Sequence, residues 1–456
     1  MTIYFDRSAL HPNGAKALNE EAEAIALLFE SKPLQPSPPP AFETQREIGP
    51  TITEEDIIGE PIMSWTDLKG RAVGRYFVRD GQEVALRNGN YLQFRKLVEK
   101  VAGKKPFNLG LSLEFLEEQT FLWLQAARLG SNDQSLCDHL LDRCEAAVSL
   151  HDMAVPIASI EVERAFKLGN IRISPFDVRR LERWKTKLLQ KNDADLEALS
   201  AIEERFQSLR KQLAGSTLIE VSILGEKKFV EAEAIRIADE AASVLRFLSP
   251  AAIISNLAFP CHPLGSEHRP LKTILHLAEG EIAGLTTGLR QQGLHHWGLQ
   301  FADLSEKMNA GLRNIAAFFS DRHLTDHEQR VKSALLSYSR GVASYDPNER
   351  LIYAMFALEH LLLKDGSEPI QQNVGERIAF LIEQDPKRRK AVVSNFKKAY
   401  QLRSRYVHHL NSVENEEALQ EFYKNIFVLL YTAIADMKIH SNHGAFLDHI
   451  DNKKFS

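Results

Sequence analysis

The chain has 456 residues, 44% hydrophobic and 26% charged, with a formal net charge of −5. That length exceeds one ordinary core and predicts two or three globular domains. The acidic balance excludes a global polyanion-binding surface, so any nucleic-acid contact must be local. Three cysteines, Cys137, Cys144 and Cys261, are too few and odd in number for a disulfide framework and imply a reducing compartment. The first 21 residues contain no apolar signal-peptide core. The best apolar run, Phe427 to Ala435, is about half of the roughly 18 residues a membrane span needs. The expectation is a cytoplasmic protein without membrane contact.

Residues 1–50 read as a peripheral segment. A helix is expected over Ala15–Phe29, followed by the polyproline-type stretch Lys32–Pro40, which suits an extended linker better than an SH3-type ligand. Residues 51–318 are predicted to form an α+β region with a secondary boundary near 215. Short strands are expected around Gly70, Gly74 and Gly81. The stretch Gly70-Arg-Ala-Val-Gly74 lacks phosphate-loop spacing, so it receives no nucleotide role. Tyr91–Val101 is predicted helical. Ser112 caps a helix to Leu129, with Gly130 just past its end. The next helix, Gln134–Leu150, carries Cys137, His139 and Cys144, which read as buried thiols and a surface histidine rather than metal ligands.

Pro175–Leu213 reads as two charged amphipathic helices broken near Asn192-Asp193, either a partner-binding hairpin or a pair packed on one side. Thr217–Leu224 alternates as a strand, and Phe229–Leu248 is a helix closed by Ser249-Pro250. Short strands are expected near Ala252–Ser255 and Leu271–Leu277, and one helix over Phe301–Phe319. His295-His296-Trp297 offers imidazoles and an indole together. Adjacent residues point to different faces of a regular element, so it makes a poor chelate.

Thr325-Asp-His-Glu328 has the capping-box form, and a domain boundary is placed just before it, near 319. Helices are expected over Asp326–Val342, Glu349–Lys364 and Val374–Glu383. Another is opened by Asp385 as N-cap and Pro386 at the first position, and the last runs Glu416–His440. Five helices joined by short loops make an antiparallel bundle. The predicted fold is therefore mainly α, an N-terminal α+β region followed by this helical bundle over 319–456.

Lys387 to His409 is the most unusual stretch, with eight Lys or Arg and no acid. Its apolar stripe runs Val392, Phe396, Ala399, then Tyr406 and Leu410, with Arg403 in line between them. A guanidinium on a core stripe needs a partner or an anion. Glu359, mid-helix in Ala357-Leu-Glu-His-Leu361, is a natural partner, and from spacing alone a buried Arg–Glu bridge beside a solvated basic helix is the favoured account of the pattern. On a continuous helix Arg403 and His408 stand roughly 140° apart. They converge only if the helix ends near Val407, as Asn411-Ser412 suggests, or if a second subunit completes the site.

Three pieces, Ala357-Leu-Glu-His-Leu-Leu362, Arg377-Ile-Ala-Phe-Leu381 and Tyr400-Gln-Leu-Arg403-Ser404-Arg-Tyr-Val-His408, resemble in order and spacing the Apea-like branch of the HEPN superfamily. The defining motif there is Arg, a polar residue, then His after four to six residues. Arg403-Ser404 with His408 fits it, and His409 is an alternative. The resemblance covers residues 320–445. It implies a HEPN-like bundle that pairs as a homodimer. It also implies a metal-independent endoribonuclease of a defence system, with the N-terminal region as sensor or recruiter, or a catalytically silent relative that binds nucleic acid or nucleotide. No metal or cofactor is expected. The residue types suit the chemistry, because His moves protons near neutral pH and Arg binds phosphorane charge. Ser404 and Tyr406 can add a hydrogen bond to phosphate, and Lys387, Arg388, Arg389, Lys390, Lys397, Lys398 and Arg405 can hold an RNA backbone.

Overall fold

The computed structural model describes residues 5–33, 63–68, 72–191, 196–265, 271–278, 281–289, 296–409 and 416–454. The expected polyproline stretch after Pro33, Gly70, the break at Asn192-Asp193, His295, Leu410 and Asn411-Ser412 lie outside them. The described chain is mainly helical, with small sheets that all lie before residue 300. None of its helices is long and apolar enough to cross a membrane. It divides into two compact units, Met1–His151 with Ile223–Ala232, and Asp152–Ser222 with Glu233–Ser456.

The first unit comprises α1 (Pro12–Ala26), β1 (Glu30–Pro33), β2 (Met63–Thr66), β3 (Ala72–Arg79), β4 (Gln82–Arg87), α2 (Asn88–Ala102), α3 (Leu113–Arg128) and α4 (Leu136–Ala147). Its antiparallel sheet has the order β1-β4-β3-β2. Leu18, Ala22 and Ile25 of α1 recur at helical spacing and close one core with Phe94 and Leu97 of α2, Phe121 and Leu124 of α3, and Leu140 and Cys144 of α4. The Ser112 hydroxyl accepts from the Phe115 amide, and Gly130 takes φ +69°, as the cap signals predict. Burial pushes the Cys137 and Cys144 thiols up to about 11 and 12. His139 departs from expectation: it is half-buried, with Nε2 unpartnered. So does the end of α4, because Leu150 belongs to a strand.

That strand is β5 (Ser149–Ile157), followed by β6 (Ile160–Val162), β7 (Phe166–Leu168) and β8 (Ile171–Pro175). None of the four is predicted from the sequence, and β6 and β7, at three residues each, are too short to show a period. Then come α5 (Val178–Lys191), α6 (Leu196–Leu213), β9 (Thr217–Gly225) and α7 (Lys227–Leu248), all at predicted places. The sheet order is β5-β9-β8-β7, β10 (Leu271–Ala278) pairs with β11 (Glu281–Leu289), and β12 (Trp297–Leu299) lies parallel to β6. The strand expected near Ala252–Ser255 is instead a 3-10 turn, Pro250–Ala252, because Pro250 fixes φ and lacks an amide donor.

The helix expected over Phe301–Phe319 is two pieces, α8 (Phe301–Asn309) and a 3-10 segment, Leu312–Phe319. The chain turns at Gly311, φ +132°, where a Cβ would stand 2.9 Å from the Ala435 methyl. Six helices follow: α9 (Asp326–Ala343), α10 (Pro347–Leu362), α11 (Ile370–Ile382), α12 (Pro386–His409), α13 (Glu416–Asp436) and α14 (His443–Asn452). The Thr325–Glu328 capping box is formed in both directions. The sixth helix, α14, is capped by Asn442 and lies beyond the last helix that the sequence predicts.

These helices share a compact unit with residues before 319, where the sequence places a boundary. Buried guanidiniums explain the continuity. Arg350 of α10 donates to the carbonyls of Ala251 (2.6 Å), Ile254 (2.8 Å), Ser255 (3.1 Å) and Leu257 (3.0 Å). Arg246 of α7 donates to the carbonyls of Cys261 and Ser339. Phe247 stacks on Phe427 with ring centroids 4.8 Å apart. Helix α7 is thus part of the bundle.

Candidate functional site

Helix α12 starts as its sequence dictates. The Arg388 amide donates to the Asp385 carboxylate at 3.1 Å, and Pro386 occupies the first turn. Val392, Phe396 and Ala399 are buried. Against them, Gly375 of α11 sits so close that a Cβ there would stand 3.0 Å from the Phe396 ring. Asn395 fixes the other flank, donating to the Ala418 carbonyl at 2.9 Å and accepting from Asn425 at 3.2 Å.

Arg403, half-buried, continues this stripe. Its Nε is buried without a hydrogen-bond partner, and so is Oε1 of Glu359 on α10. Burial raises the Glu359 carboxyl above the usual carboxylate range, while the charge of Arg403 acts in the opposite direction. The two groups therefore share a neighbourhood, as the sequence suggests, but among the described residues they close no ion pair.

His408 is exposed, and Ser404 and Tyr406 are half-buried. Helix α12 continues through His408 to His409, so Arg403 and His408 both lie on regular helix. Arg403 and His408 consequently point roughly 140° apart. The side chain of His409 lies outside the described residues. Lys387, Arg388, Lys390, Lys397, Lys398 and Arg405 are exposed, and among the described residues none makes an ion pair. Arg389 is different: its Nε donates to the Glu383 carbonyl at 2.9 Å, and its guanidinium lies over the Phe380 ring, 4.3 Å from the centroid.

Two features escaped the sequence reading. One is a groove of about 500 Å³ between α11 and α12, lined by Phe380, Arg389, Lys390 and Lys397. Its walls come from two helices, although the α12 half was readable as a helical stripe. The other is a histidine cluster. His327 is fully buried, with neither ring nitrogen partnered, 5.5 Å from His440 and 6.0 Å from His443 between ring centroids. Burial pushes His327 and His443 down to about 4. Among the described residues, no three His, Cys, Asp or Glu side chains are arranged to hold a metal ion.

Comparison with protein-family models, with curated proteins and with solved structures finds no match to this chain. The site is therefore read from its own geometry. His296 is exposed, 3.8 Å from Glu161, and Trp297 packs edge-on against Phe259 at 5.8 Å, which accounts for that pair structurally. Arg377, part of the resemblance, is a buried clamp that binds Glu368 at 2.7 Å and Asp451 at 2.9 Å.

Proposed function

We propose that α9–α13 form a HEPN-like module that cleaves RNA without a metal ion, working as a homodimer in a defence system. The observation that carries this reading is α12 itself, which in an acidic chain carries six exposed cations with no ion pair among the described residues and ends in Arg403, Ser404 and His408. In the cleavage step the RNA 2′-oxygen bonds to the adjacent phosphorus and the bond from phosphorus to the 5′-oxygen breaks. His408 takes the 2′-hydroxyl proton or delivers one to the leaving oxygen. Arg403 neutralises the phosphorane, with Ser404 as a further donor. Because Arg403 and His408 diverge on one helix, the reading takes Arg403 from one copy and His408 from its partner. The N-terminal region, up to residue 318, would then act as sensor or recruiter.

One observation favours a second reading. Arg403 faces Glu359 within its own bundle, as a structural residue would. In that case the module binds RNA or nucleotide without cleaving it. Incubation of the protein with mixed RNA in EDTA, beside Arg403→Ala and His408→Ala, separates the two. The nuclease reading expects cleavage by the wild type and loss of at least about a hundredfold in each variant. Intact RNA with the wild type, or equal cleavage by all three, removes it.

A further inference from the structure

The exposed face of α12 is one continuous stripe. Taking about 100° per residue, Lys390, Lys397, Ser404 and His408 fall within roughly 40° of one another, and Ser394 and Gln401 lie on the same side. Arg403 stands about 120° away, on the core side. The groove between α11 and α12 opens at the N-terminal end of this stripe, its lysines roughly 9 to 27 Å along the axis from the Arg403–His408 end at about 1.5 Å per residue.

The groove has a preorganised plane in it. Arg389 is pinned by the Glu383 carbonyl on its Nε and by the Phe380 ring beneath it. Among the described residues no hydrogen bond or ion pair engages its two terminal amino groups. Guanidinium planes held this way stack nucleobases. Lys390 and Lys397 flank it as exposed cations that make no ion pair among the described residues. The acid at the groove, Glu376, is held at 3.2 Å by Lys454, which offsets its repulsion of an anion. Ala379 and Val393 complete an apolar wall.

From these observations we infer that the α11–α12 groove is a binding site for single-stranded RNA. One base stacks on Arg389, the flanking phosphates sit on Lys390 and Lys397, and the strand then runs along the exposed stripe to Ser404 and His408. The inference rests on the RNA reading above but not on cleavage. A duplex does not fit, because its bases are already stacked on each other and cannot enter the groove.

The test is fluorescence anisotropy with a short labelled single-stranded RNA, measured over a salt series in EDTA with the full chain. The proteins are the wild type, the double variant Lys390→Glu with Lys397→Glu, and Arg389→Gln. The double variant should lower the slope of log affinity against log salt by about 1.4, two phosphate contacts at about 0.7 each. Arg389→Gln should weaken binding roughly tenfold with the slope unchanged, as loss of a stacking contact does. All three side chains lie at the surface or the groove rim, and thermal melting checks that the variants fold. Wild-type affinity and slope in the variants would overturn the groove even if RNA is cleaved. Tighter binding of the same sequence as a duplex would overturn the single-strand assignment. Slope and affinity changes as expected, without cleavage by any protein, would uphold the groove and remove the nuclease reading.

Discussion

His327 shows how far burial alone can set a residue's chemistry. It sits at the start of α9 beneath Phe446, with both ring nitrogens unpartnered, and its acid form is disfavoured first by burial and then by His440 and His443. Asp326 and Glu328 pull weakly the other way. The folded pKa, about 4, lies below the ordinary histidine value, so the unfolded chain binds the proton more readily. Stability from this ring is therefore complete above about pH 6.5 and falls as pH drops towards 4. Between pH 7 and pH 5 each such ring costs about 2 kcal/mol, and His443 behaves alike. The melting temperature of the wild type should drop over that interval, and His327→Phe should flatten the drop. An equal pH dependence in the variant would contradict the account. Arg403 teaches a related lesson at the same scale. That it breaks the apolar stripe is legible from spacing, but its distance from Glu359 depends on how α10 and α12 pack, which no local pattern encodes.

Helices with strong local signals appear where the sequence puts them. Thr325 and Glu328 cap α9, Asp385 and Pro386 open α12, and Ser112 caps α3. Elements decided by contacts elsewhere do not. The chain after α8 turns at Gly311 because Ala435 of α13 lies against it, and the short strands β6 and β7 exist only through their neighbours. The α11–α12 groove is of this second kind, since Phe380 and Arg389 meet across two helices. Gly375 sets how closely those helices approach. Gly375→Leu forces its side chain into the Phe396 ring and should destabilise the protein by about 1–3 kcal/mol, as overpacking does. It should also weaken RNA binding through the displaced groove. Denaturant unfolding checks the first effect, and an unchanged midpoint would mean that α11 does not pack against Phe396 as described.

On the scale of the whole molecule, the sequence suggests a bundle that begins near 319, whereas the compact unit gathers α7 and residues 250–259 with it. Arg350 alone donates to four carbonyls of residues 251–257, and Arg246 reaches Ser339. A fragment of residues 319–456 loses all four of these acceptors and opens to water the apolar faces that pack on α7, Phe427 and Tyr338 among them. It should melt well below the full chain and bind a hydrophobic dye, and a cooperative transition at the full-chain temperature would contradict the shared core. If the chain is a nuclease, the same wholeness applies between copies, because each helix presents Arg403 and His408 in different directions.

The most direct measurement of that central claim is RNA cleavage in EDTA by the wild type, by Arg403→Ala, by His408→Ala and by an equimolar mixture of the two variants. The account predicts an active wild type, two inactive variants, and partial recovery in the mixture, where one intact Arg403 meets one intact His408 of the partner subunit. A mixture as inactive as either variant, beside an active wild type, would contradict the two-copy site, and an inactive wild type would contradict the nuclease itself.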